Sequence, residues 1–176
     1  MKKQFILFIA LITVFYSCED LDEITQFPLT VTTDVIIPST TIAGTPFTLE
    51  IASTATNSNT VFSDNNTHSD LIDSIILQDC TLSITNPAIA NFSFLQNIEV
   101  SLSATGLPKI LIAWSNPTIP STNTIKLSTT DEDLTAYLIQ ENYSISVTAT
   151  TDEVIPTDYT IQITNSFEIN AQLLGL

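Results

Sequence analysis

The stretch "YTIQITNSFEINA" (residues 159–171) places Tyr159, Ile161, Ile163, Phe167 and Ile169 in one phase of a two-residue repeat. An apolar period of two over this length predicts a β-strand with one face buried and one in water. The same pattern recurs upstream. "YSISVTA" carries Tyr143, Ile145 and Val147, and "NIEVSLSA" carries Ile98, Val100, Leu102 and Ala104. "FPLTVTTDVIIP" alternates Leu29, Val31, Thr33, Val35 and Ile37, and "TPFTLEIAS" alternates Phe47, Leu49 and Ile51. In "SIILQDCTLSIT", Cys80 shares the phase of Ile76, Leu82 and Ile84, and Asn86-Pro87 ends the run.

About eight strands follow from this reading, with one or two short helices. Clean alternation implies antiparallel sheets, and two of them facing each other make an all-β sandwich of Ig-like or Greek-key type. "TGLP" reads as a turn. "KILIAWS" after it is apolar on both faces and predicts a central strand. "NTIKLST" adds Ile125 and Leu127. A transmembrane barrel does not fit, because the loops are short and the aromatics too sparse for interfacial girdles.

The period changes in "TTDEDLTAYLIQEN", where Leu134, Tyr137 and Leu138 stand at helical spacing. Thr130-x-x-Asp133 reads as a capping box with acids in the first turn. A second helix start is expected at Thr67–Asp70, ahead of Leu71 and Ile72.

The first residues read differently. In "MKKQFILFIALITVFYSC", Lys2 and Lys3 precede an apolar run, Phe5–Tyr16, too short to cross a ~30 Å hydrocarbon core. Ser17 is a small residue before Cys18. Positive start, apolar centre and small residue before a cysteine resemble a bacterial lipoprotein signal, cut between Ser17 and Cys18, with Cys18 then carrying lipid. Phe15 and Tyr16 depart from the usual residues before the cut, in the relaxed form seen in Bacteroidetes. Glu19, Asp20, Asp22 and Glu23 follow at once and resemble the signal that sends such lipoproteins to the cell surface. The expected organisation is a signal peptide (1–17), an acidic tether (18–26) and a β-sandwich domain (27–176). The expected location is the outer membrane, lipid-anchored and facing outward, with a periplasm-facing anchor as the alternative.

From "NPAIANFSFLQNIEVSLSATGLPKILIAWSNPTIP" through "LSTTDEDLTAYLIQENYSISVTATTDEVIPTDYTIQI", the chain is similar to a group of small Bacteroidetes lipoproteins of unassigned function. The likeness covers roughly residues 72–172. It implies fold and anchoring and transfers no functional residue.

Charge narrows the partners. Nineteen acids face four lysines, with no arginine, for a formal charge of −15. Beyond Cys18 only Lys109 and Lys126 remain, and the charge becomes about −17. Such a surface repels phosphate backbones, so nucleic acid is excluded as a partner. The 44% hydrophobic content excludes a disordered acidic chain.

Few residues point to chemistry. Asp131, Glu132 and Asp133 in one loop, and Asp152 and Glu153 in another, would form a Ca²⁺ site if the fold brought both loops together, since Ca²⁺ takes six to eight oxygens. The competing roles are helix capping and an exposed turn. With Cys18 lipidated, Cys80 has no disulfide partner and reads as a buried core thiol. His68, the single histidine, lies in a polar loop. No nucleophile-elbow motif is present, and the chain reads as a non-enzyme. Asp73-Ser74-Ile75 matches a short O-glycosylation motif at Ser74. Trp114, Tyr137, Tyr143 and Tyr159 are expected in the core, with stacking on sugar rings as the alternative. The function expected is binding, display or assembly with an envelope protein. The alternative is a glycan- or Ca²⁺-binding accessory module of a nutrient-uptake complex.

Overall fold

A computed structural model of the chain describes residues 26–55, 57–140 and 142–172. The alternating stretches form β1 (Gln26–Ile37), β2 (Phe47–Ala55), β3 (Ile72–Asn86), β4 (Leu95–Ala104) and β5 (Ile110–Trp114). After them come β6 (Thr124–Lys126), β7 (Ser128–Thr129), β8 (Asn142–Thr151) and β9 (Tyr159–Ala171). The helices are α1 (Ser58–Asp64) and α2 (Thr135–Leu138).

The strands make two antiparallel sheets, ordered β1-β9-β3-β6 and β2-β8-β4-β5-β7. The protein is a β-sandwich. Ile161, Ile163, Phe167 and Ile169 of β9 face inward and are buried, as the repeat of two requires. Ile145, Val147 and Ala149 of β8 meet them from the other sheet, and both strands lie inside their sheets. Full burial of a Val, Leu, Ile or Phe side chain contributes about 1.5–3 kcal/mol, so this layer dominates the stability of the fold.

Among the described residues only β4 and β5 are consecutive strands that pair, through a turn closed by the Leu107 N–H on the Ala104 carbonyl (3.0 Å). Gly106 takes φ +78° there, a left-handed conformation that disfavours residues with a Cβ. Apart from β7 to β8, which stay in the five-stranded sheet, every other connection crosses between the sheets. One crossing closes an edge of the sandwich. Lys126 and Thr124 pair with β3, the Leu127 N–H bonds the Cys80 carbonyl, and Ser128 and Thr129 then pair with β5. The run read as one strand, "NTIKLST", therefore serves both sheets, with Ile125 and Leu127 buried between them. At the opposite edge β1 and β2 end their sheets separately.

Three local expectations change. "KILIAWS" is not central: β5 is covered on its outer side only by the two-residue β7. Its double-faced apolarity comes from a β-bulge between Val100 and Ser101, where Ser101 pairs with Leu111 and Val100 with Ala113. The extra residue turns both Ile112 and Ala113 inward and leaves both Leu111 and Trp114 outside. The helix expected from Thr130 begins only at Thr135, and Thr130 accepts instead from the Glu132 N–H (3.2 Å). The helix expected near Thr67 is a 3-10 turn, Ser69–Leu71, and α1 lies before it. Phe62 holds α1 down, fully buried and edge-on to Phe27.

Strand directions define two ends. Gln26, Ala171, Ile72, Ala55 and Asn142 lie at one, and Ile37, Tyr159, Phe47, Leu95 and Thr151 at the other. At the second end Ser39 donates from its N–H (2.8 Å) and hydroxyl (2.9 Å) to Asp158, and these bonds hold that exposed carboxyl below its usual range.

Candidate functional site

The expected lipidation and export residues, Ser17, Cys18, Glu19, Asp20, Asp22 and Glu23, lie outside the described residues. Among the described residues no helix is long and apolar enough to cross a membrane.

The two acidic loops are not brought together. Asp131, Glu132 and Asp133 precede α2 and the start of β8, whereas Asp152 and Glu153 follow its end. The first loop is pinned at its ends by the Thr130 N–H on the Ile112 carbonyl (3.0 Å) and the Leu134 N–H on the Ile75 carbonyl (2.8 Å). Asp133 is occupied: one carboxylate oxygen accepts from the Ile75 N–H (3.2 Å), the Thr135 N–H (3.0 Å) and the Thr135 hydroxyl (2.5 Å). Partial burial raises its pKa, but the bonds from Thr135 and Ile75 outweigh that and hold it below the ordinary value. The Asp152 N–H bonds the Phe94 carbonyl (3.0 Å), and Glu153 accepts from the Ser93 hydroxyl (3.3 Å). Among the described residues no three His, Cys, Asp or Glu side chains gather as a metal site.

The other singled-out residues are quickly placed. Cys80 is buried and free, and burial first, then the neighbouring Asp79 charge, pushes its thiol up to about 12. A thiol so rarely ionised is a poor nucleophile. Ser74 lies half-buried in β3, opposite Asn170. His68 is exposed before the 3-10 turn. Tyr137 and Tyr143 are core residues as expected, Tyr143 with a hydroxyl pushed up to about 12 by burial.

Trp114 is the exception. It is 38% exposed, and Leu111 beside it is 40% exposed, both on the outer face of the five-stranded sheet. Register builds that face in rows. Thr48, Thr148, Glu99, Trp114 and Ser128 form one, running across β2, β8, β4, β5 and β7. Four strand spacings make it about 19 Å long. Glu50, Ser146, Ser101 and Leu111 form the next. The other side chains of these two rows, apart from the two glutamates, are small hydroxyls, so Trp114 and Leu111 are their large apolar members.

An open cleft of about 320 Å³ lies against the indole, lined by Asn97, Glu99, Leu111, Trp114 and Ser115 over buried Ile98. The Ser115 hydroxyl accepts from the Ile98 N–H (3.1 Å), which directs its own proton away from the backbone. Asn116, the residue after Ser115, accepts from the Ser128 hydroxyl (3.0 Å) and so ties β7 to the segment beyond β5. Lys109 reaches across β4 and β8 to Glu50 (3.7 Å), and Ser146 in the same row is buried. Sequence reading missed the exposure of Trp114, because the bulge that reverses its direction has no marker in "KILIAWS".

Comparison with known proteins adds nothing to this geometry. No family model matches the chain, and no curated protein matches it. Among solved structures, a chain from turnip yellow mosaic virus is 12% identical over 85% of each chain, with a TM-score of 0.30. One from Desmodium yellow mottle tymovirus is 13% identical over 85% of each, with a TM-score of 0.26. A carbohydrate-binding module of "the beta-sandwich super family" is 11% identical over 79% of this chain and 54% of that one, with a TM-score of 0.28. TM-scores this low carry no argument about the present chain.

Proposed function

We propose that this protein is a lipid-anchored envelope protein that works by binding rather than catalysis, with the sheet face around Trp114 as its contact surface. One observation carries the binding half: a tryptophan and a leucine are exposed side by side on a face whose other side chains are polar. Burying Trp114 would be the cheaper arrangement, since a large apolar ring left in water forgoes the transfer free energy that burial supplies. The anchoring half rests on Lys2, Lys3, the apolar run Phe5–Tyr16 and the Ser17–Cys18 junction.

In this reading Cys18 holds the chain to the outer membrane and the acidic segment Glu19–Glu23 directs it outward. The tether enters at Gln26. Trp114 lies toward the other end of the sandwich, away from the lipid. Two measurements test the proposal. Cys18→Ser is expected to abolish palmitate labelling and release the protein from membranes; labelling that persists refutes the anchor. Native lipoprotein purified from intact envelopes is expected to bring down a component that Trp114→Ala loses. Equal recovery by both forms removes the Trp114 face from the function. Protease added to intact cells separates outward from periplasmic display.

A further inference from the structure

We infer that the Trp114 cleft binds a neutral saccharide, the indole stacking on a sugar ring while Glu99, Asn97 and Ser115 bond its hydroxyls. The inference rests on the binding role proposed for this face and names the ligand class. An indole offers a flat apolar plate with one N–H donor at its edge. The complement to that plate is a ring with an apolar C–H face and a rim of hydroxyls. Around the plate stand the groups such a rim requires. Glu99 is next to Trp114 in register and accepts only; Asn97, two residues earlier on the same exposed side, donates and accepts; Ser115 has a proton to give. Neither Glu99 nor Asn97 has a side-chain hydrogen bond or ion pair among the described residues. The hydroxyls of Thr148, Thr48 and Ser128 continue the row to either side, which suits a chain of sugars better than a single compact ligand.

Other ligand classes fit less well. Anions meet Glu99 and an acidic protein whose Lys109 and Lys126 are already paired with Glu50 and Asp79. An ammonium ligand needs aromatic walls on several sides to replace its water. Trp114 is the only aromatic ring among the exposed large hydrophobic side chains of the described residues. The plate is also fixed in advance. Ala113 and Ile112, immediately before it, are fully buried, so little ordering is required when a ligand arrives.

The test uses full-length lipoprotein in a detergent without a sugar headgroup. It is run through native gels containing, in turn, a soluble α-glucan, β-glucan, mannan and xylan. The chain has one tryptophan, so its emission reports this cleft alone. At least one polysaccharide is expected to retard the protein and shift its emission. Trp114→Ala should weaken that retardation about tenfold or more, and Glu99→Gln should weaken it less, an acceptor being retained. Cooperative melting of both variants above the assay temperature shows that the fold is kept. The inference is overturned if none of the four retards the protein, if Trp114→Ala is retarded like the wild type, or if polylysine binds more tightly than every glycan. Should the glycans fail while the envelope component still depends on Trp114, the binding role stands and only the ligand class is wrong.

Discussion

The two outer faces of the sandwich are built from the same Thr- and Ser-rich strands, yet only one presents a large aromatic ring. On the four-stranded sheet the rows read Thr32, Thr164, Thr81, Lys126 and then Asp34, Gln162, Ser83, Thr124. Its cleft, of similar volume beside Pro28 and Gln78, has its aromatics Phe27 and Phe167 turned toward the core. β-branched hydroxyl residues suit a solvated sheet face, and nothing more is needed to explain that side. On the five-stranded sheet a single bulge changes the outcome. By shifting phase within β5 it sends Ile112 and Ala113 inward together and pushes Trp114 and Leu111 out. Composition alone does not separate the faces; one extra residue does.

That contrast can be broken most sharply at neighbouring positions. Ile112→Ala removes a fully buried side chain and is expected to cost about 2–5 kcal/mol in urea unfolding. Trp114→Ala, two residues away, should cost less, because 38% of that side chain's surface is already in water. Equal losses would make Trp114 structural and dissolve the distinction between the faces.

Next in size is Asp133, which belongs to neither face and calibrates both. Asp133→Ala should cost about 1 kcal/mol at pH 7, the usual net worth of hydrogen bonds such as those it accepts from Ile75 and Thr135. Its folded pKa lies below the unfolded value of 3.8. The contribution is therefore present above 3.8 and lost as pH falls through the folded value. Wild type and variant should converge in stability in acid; a gap that persists there would deny the carboxylate its role.

Smaller still is Thr164→Val on the polar face, expected within about 0.5 kcal/mol of wild type by thermal melting. The least effect belongs to Lys109→Met, at most about 0.5 kcal/mol and fading with salt, as for an exposed ion pair. A larger loss would mean that the Lys109–Glu50 strap organises the binding face rather than lying across it.

Much of the fold was legible because alternation is a local property. β1, β4, β8 and β9 each declare a buried face by simple period. β3 does not: a register shift between Leu77 and Asp79 buries Ile75 and Leu77 before it and Cys80, Leu82 and Ile84 after it, so Ile76 leaves the phase it was expected to share with Cys80. What escaped depends on partners distant in sequence. Nothing inside "KILIAWS" says that Ser101 will skip Ile112 when pairing. Nothing in "TTDEDL" says that Asp133 will be claimed by the Ile75 N–H, 58 residues away, and so withheld from any cation. The two acidic motifs look alike in sequence, yet the fold anchors one on Ile75 and the other on Phe94 and Ser93.

The pairing of β1 with β9 has a mechanical consequence. These strands match residue by residue from Gln26↔Asn170 to Ile37↔Tyr159, with no break in register. Inter-strand hydrogen bonds of an antiparallel pair lie perpendicular to the strands. A pull between residue 26 and Trp114 runs nearly along them, because the two points lie toward opposite ends of the sandwich. Force in that direction loads the rungs of the ladder together in shear instead of opening them one after another. A domain held by its first strand and tugged at the far end of its other sheet would meet the load with its longest continuous seam.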